Sequence, residues 1–140
     1  MPTSEQTIVK RVTELVAADS VSSPDPSWDS SNRRVINHLS DYAERDGWAV
    51  DIHELESSAD GKANLIATFG NADNLGDEPA GLVLSGHTDT VPFDAGGWAS
   101  DPLKLTERDG RLYGLGSTDM KGFFAVALEA ASVFDLSLIH

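Results

Sequence analysis

Cysteine is absent from the 140 residues, which removes disulfides, thiolate nucleophiles and sulfur-ligated metal sites together. Any metal must therefore be held by His, Asp or Glu, a donor set suited to zinc, cobalt or manganese. Basic residues are scarce: 10 Lys and Arg stand against 23 Asp and Glu, for a net charge of -13. The resulting pI of about 4.4 repels nucleic acid and anionic membrane, and both are excluded as partners. No apolar run approaches the roughly 18 residues of a membrane span. The start, Met1-Pro2-Thr3-Ser4-Glu5, lacks the basic residues and apolar core of a signal peptide, so the chain reads as cytoplasmic. Repeats and domain boundaries are missing as well. A chain of this length with 40% hydrophobic residues is one domain, able to bury roughly two thirds of its unfolded surface.

Hydrophobic spacing sets out the elements. Residues 4–19 place Ile8, Val9, Val12, Leu15 and Val16 at helical intervals behind a Thr3/Ser4 cap, predicting an amphipathic helix. Residues 21–31, rich in Ser, Pro and Asp, predict a loop. Val35, Ile36, Leu39, Tyr42 and Ala43 then mark a second helix ended by Gly47. The period switches after it, and residues 48–56 and 63–69 read as strands separated by a turn at 59–62. Residues 71–79 form a polar, acidic loop. Leu82, Val83 and Leu84 are too continuously apolar for a half-exposed strand, which predicts a strand in the middle of a sheet covered on both faces by helices. Beyond an irregular stretch at 93–102, residues 103–107 face 111–113 across an Asp109-Gly110 turn. Thr118 is expected to cap a last helix carrying Met120, Phe123, Phe124, Ala127, Leu128, Ala131 and Phe134, an apolar surface broad enough to be buried by the sheet.

The chemistry gathers where the apolar strand ends. Strand side chains repeat every second residue, so His87 and Asp89 project to one side if the backbone stays extended past Gly86. Asp89 can then bond one ring nitrogen and orient the other toward a metal. The carboxyl end of a central strand is also where open α/β sheets place their sites. A second carboxylate, Asp119, opens the last helix. Singly these residues have plainer readings: a histidine after a strand is more often structural, and Asp119 would suit a helix start through the dipole alone. Gly114-Leu115-Gly116 hints at a nucleotide loop, but Asp119 stands at the third glycine position and would repel a phosphate. His38 and His53 fall on solvent faces and read as structural.

Three motifs, in order and at matching spacing, resemble the metal-dependent amidohydrolases and exopeptidases of the M20 family. They are Ser85-Gly86-His87-Thr88-Asp89-Thr90-Val91-Pro92, Trp98 with Asp101-Pro102, and the run from Leu112 through Gly116, Asp119, Lys121 and Gly122 to Phe124. The resemblance extends from the first helix to about Phe134. It implies a three-layer α/β, zinc-exopeptidase-like catalytic domain with a central mixed sheet flanked by helices, truncated here, with residues 1–135 as its N-terminal part. It implies two divalent ions, zinc or cobalt, with His87 binding one, Asp119 bridging both and Asp89 acting catalytically by steadying His87. A cis peptide after Asp119 is implied too. The substrate would be a small N-acyl amino acid and the whole enzyme a homodimer. Within the family, Phe123-Phe124 and residues 26–32 resemble the acetylornithine-cleaving branch more than the desuccinylases, carboxypeptidases or aminoacylases.

Ligands that the resemblance implies further along, namely a glutamate pair, another carboxylate and a late histidine, are not in these 140 residues. His87 and Asp119 supply about three of the roughly eight contacts that two four-coordinate zinc ions need. The expectation is weak metal binding and no turnover by this polypeptide, with apolar sheet edges left open to aggregation. Leu136-Ser137-Leu138-Ile139-His140 is the translation of CTG TCT CTT ATA CAC, a transposon end used in sequencing libraries, so residues 136–140 read as a non-native adapter scar. Two other readings stay open: a non-catalytic metal-binding module that keeps the half site, and an unrelated complete α/β domain.

Overall fold

The computed structural model describes residues 3–56, 61–70 and 81–133. The loop expected at 71–79, the first half of the turn at 59–62, Phe134 and the tail at 136–140 lie outside the described residues.

Helix α1 (Ser4–Ala17) starts where expected, because Thr3 and Gln6 form a reciprocal capping box. It turns Val12, Leu15 and Val16 inward. Helix α2 (Arg33–Arg45) buries Val35, Ile36, Leu39, Tyr42 and Ala43. It ends at Gly47, whose φ of +84° suits the left-handed residue past a helix end. There the amides of Asp46 and Trp48 reach back to the Tyr42 and Ala43 carbonyls. Strands β1 (Ala49–Glu54) and β2 (Ala63–Thr68) pair antiparallel, with Ala49 opposite Thr68 and Glu54 opposite Ala63. A 3-10 turn at Ala95–Gly97 interrupts the irregular stretch. The short hairpin of β3 (Thr106–Arg108) and β4 (Arg111–Tyr113) turns at Asp109 and Gly110, both with positive φ as a tight turn requires. Helix α3 (Lys121–Val133) closes the described chain.

Three sequence expectations are corrected. Residues 82–84 form no strand; Leu82 and Val83 are 83% and 87% exposed, where a central strand would hide both. The described residues hold two separate two-stranded antiparallel sheets in place of a central mixed sheet. The physical reason is pairing: among the described residues, 82–84 has no hydrogen-bonded neighbour, and β-structure beside it is limited to the parallel bridge between Val21 and Thr90. With no sheet to cover, α3 packs on α1 and α2, burying Ala125 and Leu128 while Val126 and Val133 face solvent. Thr118 does not cap α3. The helix starts three residues later, and its first amides bond the Gly116 and Met120 carbonyls.

The core is therefore mainly helical. Val12, Leu15, Val16, Ala18, Val35, Leu39, Tyr42, Ala43, Ala125 and Leu128 form one cluster, with Val50 and Leu65 of the β1–β2 sheet packed against it. Arg11 is buried among them, paired with Asp46 at 2.7 Å and lying over the Tyr42 ring. The Tyr42 hydroxyl donates to Glu14.

Candidate functional site

Two loops meet at the site, and each is held from behind. The loop bearing His87 and Asp89 is fixed through its neighbours. Ser20 Oγ donates to the Thr88 carbonyl at 2.7 Å, and Asn32 Nδ2 donates to Thr88 Oγ1 at 2.9 Å. The Thr90 amide reaches the Ser20 carbonyl at 3.0 Å, and the Ser22 amide reaches the Thr90 carbonyl at 2.8 Å. Asn32 also closes the start of β2, accepting from the Ala63 amide and donating to the Ala63 carbonyl.

The second loop, residues 114–120, is pinned by the Leu115 amide on the Pro102 carbonyl at 2.7 Å. It ends in a cis peptide between Asp119 and Met120, as the resemblance implied. Gly122 follows against the Ser117 carbonyl, where an added Cβ would lie 2.1 Å from the oxygen. Gly86 lets the loops approach: a Cβ there would sit 2.9 Å from both Met120 Cε and Phe124 Cζ.

The result brings all three expected residues together. His87 Nδ1 lies 3.1 Å from the Asp89 carbonyl and 3.3 Å from Asp89 Oδ1, while Nε2 lies 3.0 Å from Asp119 Oδ1. Each ring nitrogen faces an acceptor. Burial opposes the positive charge on His87, but the bonds to Asp89 and Asp119 and the two carboxylate charges outweigh it and raise the pKa above its usual value. All three side chains are open to solvent. His38, stacked on Tyr42, and His53, 3.2 Å from Asp51, lie elsewhere.

A trough of about 810 Å³ opens beside the pair, walled by Thr90, Trp98, Arg111, Tyr113 and Gly116. A second, of about 580 Å³, lies on the other side, between β2 and residues 84–89.

The donors suit a divalent ion of the zinc type: one imidazole nitrogen and one carboxylate oxygen converge, with Asp89 behind the ring. They fit as two of four ligands. Among the described residues no group of three or more His, Asp and Glu side chains could enclose a metal.

The supporting residues were not foreseen. Ser20 and Asn32 flank the stretch that reads as loop, and nothing local marks partners 68 and 56 residues away. Lys121 stood inside the quoted motif without a role. It is fully buried, and its Nζ donates to the Ala18 carbonyl at 2.7 Å. Burial pushes its pKa down to about 8, with Arg34 adding to the effect and Asp19 opposing it.

Residues 83–139 match the family model described as Peptidase family M20/M25/M40. The chain is 49% identical over 123 residues to an acetylornithine deacetylase of Pasteurella multocida (strain Pm70), covering 88% of this chain and 30% of the relative. To the acetylornithine deacetylase of Proteus mirabilis (strain HI4320) it is 44% identical over 131 residues, covering 94% of this chain and 32% of the relative. Among solved structures, human carnosine dipeptidase 1 superposes with a TM-score of 0.67 at 32% identity, over 89% of this chain and 27% of that one. The chain thus spans about 30% of the length of the curated relatives it matches.

Proposed function

We propose, from the match of this chain to the model of peptidase family M20/M25/M40, that it is a member of that family and carries one half of a metal-dependent amide hydrolase site. The reaction we assign to the whole enzyme is removal of acetyl from N2-acetyl-L-ornithine, giving L-ornithine and acetate. What carries this reading is His87 Nε2 turned 3.0 Å from Asp119 Oδ1 while Asp89 occupies the other ring nitrogen. The identity to acetylornithine deacetylases supports the choice of substrate over other N-acyl amino acids.

In this reading His87 and Asp119 would hold the metal, with Asp119 shared between two ions, and Asp89 fixes the ring so that Nε2 presents its lone pair. A divalent ion held there, zinc or cobalt, would supply a water of lowered pKa and a Lewis acid for the amide carbonyl. The general base is a glutamate, and no Glu-Glu pair occurs in the 140 residues. We therefore assign weak metal binding and no turnover to this polypeptide by itself. The partial donor set also favours a second reading, a single-metal binding module without catalysis.

Further proposals follow from the same reading. Residues 1–135 are the N-terminal part of a three-layer catalytic domain, residues 136–140 a non-native tail, and the whole enzyme a cytoplasmic homodimer. No helix among the described residues is long and apolar enough to cross a membrane.

Titration with Co2+, followed by visible absorption, tests the site. His87→Ala and Asp119→Ala should each abolish the cobalt band, and Asp89→Asn should weaken binding by about 10- to 100-fold. A band of equal strength in both alanine variants would remove the proposal. Hydrolysis of N2-acetyl-L-ornithine by the 140-residue chain would overturn the assigned inactivity.

A further inference from the structure

Both loops of the site converge on one short segment, residues 18–22. Ser20 holds Thr88 and Thr90, as described, and Ser22 holds Thr90. The same segment receives Lys121, two residues past Asp119, through the Ala18 carbonyl. No other described hydrogen bond ties 18–22 to the Asp119 side, since its remaining bonds to other segments run to Thr90, Thr88 and Ser30. The lysine stem is held in place as well. Gly116, at φ +79°, packs against it so closely that a Cβ would lie 3.1 Å from Lys121 Cδ and 3.0 Å from Thr90 Cγ2. A lysine is costly to bury. One that is fully hidden and gives its amine to a single backbone carbonyl calls for an account that packing alone does not give.

We propose that Lys121, acting through the Ala18 carbonyl, is a positioning residue that holds Asp119 in register with His87. The claim rests on the reading of His87 and Asp119 as a ligand pair, but its geometry is measurable without metal. Asp119 stands two residues before Lys121, the first residue of α3, and Lys121 fixes that turn to the segment that already holds the His87 loop. Loss of the amine should let Asp119 drift from Nε2 while both loops stay folded.

The experiment is 15N NMR of the His87 ring in the metal-free 140-residue chain, assigned by comparison with His87→Ala, together with Co2+ titration. In Lys121→Met the ring shifts should move to those of Asp119→Ala, and cobalt affinity should fall at least about tenfold if the pair binds metal. Lys121→Arg, which keeps a donor for Ala18, should restore the wild-type shifts. A role in stability alone would lower the melting temperature and leave the ring shifts unmoved below it. Wild-type shifts in a folded Lys121→Met chain overturn the proposal. Should that variant not fold, Gly116→Ala decides, since its methyl displaces the lysine stem and retains the amine: shifts like those of Asp119→Ala support the inference, and wild-type shifts overturn it. If the wild-type chain takes up no cobalt while Lys121→Met still moves the ring, the metal reading falls and the positioning role stands.

Discussion

Gly86 and Gly122 carry no functional group, yet each stands where a side chain does not fit. At Gly122 the obstacle is the Ser117 carbonyl, a backbone atom 2.1 Å from an added Cβ; at Gly86 it is the mobile ends of Met120 and Phe124 at 2.9 Å. Urea unfolding should therefore find Gly122→Ala costly, about 3 kcal/mol, and Gly86→Ala nearer to about 1 kcal/mol. Equal costs would contradict the geometry. Tyr42 gives a pH signature: burial, then its bond to Glu14, raises its pKa above the ordinary 10.0. A raised phenol binds its proton more tightly when folded, so its contribution is complete below pH 10 and is lost as pH rises beyond it. Denaturation midpoints between pH 8 and 11 should fall in the wild type and fall less in Tyr42→Phe. At this scale His87, Asp89 and Asp119 were legible because metal chemistry restricts residue types and strand spacing restricts position. Ser20, Asn32 and Lys121 were not, since a hydrogen bond to a distant backbone leaves no local pattern.

Elements were legible where their signals are local. The Thr3 cap, the Gly47 stop and the Asp109-Gly110 turn each depend on neighbours within a few residues, and the structure has all three. The segment 82–84 went the other way for a physical reason. A continuous apolar run predicts burial only if strands arrive on both sides, and that is a property of the rest of a sheet. Its exposure makes a sharp prediction: Val83→Lys should change the unfolding free energy in urea by less than about 0.5 kcal/mol, as at any open surface site, and should reduce self-association. A loss of several kcal/mol would mean that the segment is paired in solution, as the sequence suggested. Helix α3 follows the same logic. Its small residue Ala125 is buried in the cluster it shares with α1, whereas Phe123, Phe124, Ala127 and Ala131 of the expected sheet-facing surface are only partly buried.

For the whole molecule, 23 carboxylates against 10 basic groups set a self-repulsion that no local contact removes. Raising ionic strength from 0.01 to 0.15 M shortens the screening length from about 30 to about 8 Å. The melting temperature should rise over that range and then level off; a flat response would place the acidic groups too far apart to matter. Length and net charge set the size class and weigh against polyanionic partners, but the arrangement of layers lay in contacts between distant parts of the chain. The bond from Lys121 to Ala18 spans 103 residues. At about 5–20 residues per second of synthesis, that carbonyl waits roughly 5 to 20 seconds for its amine to be made. Residues 18–22 of a nascent chain are therefore made long before the site can close, and this interval is when a ribosome-bound holdase would find them still unclaimed.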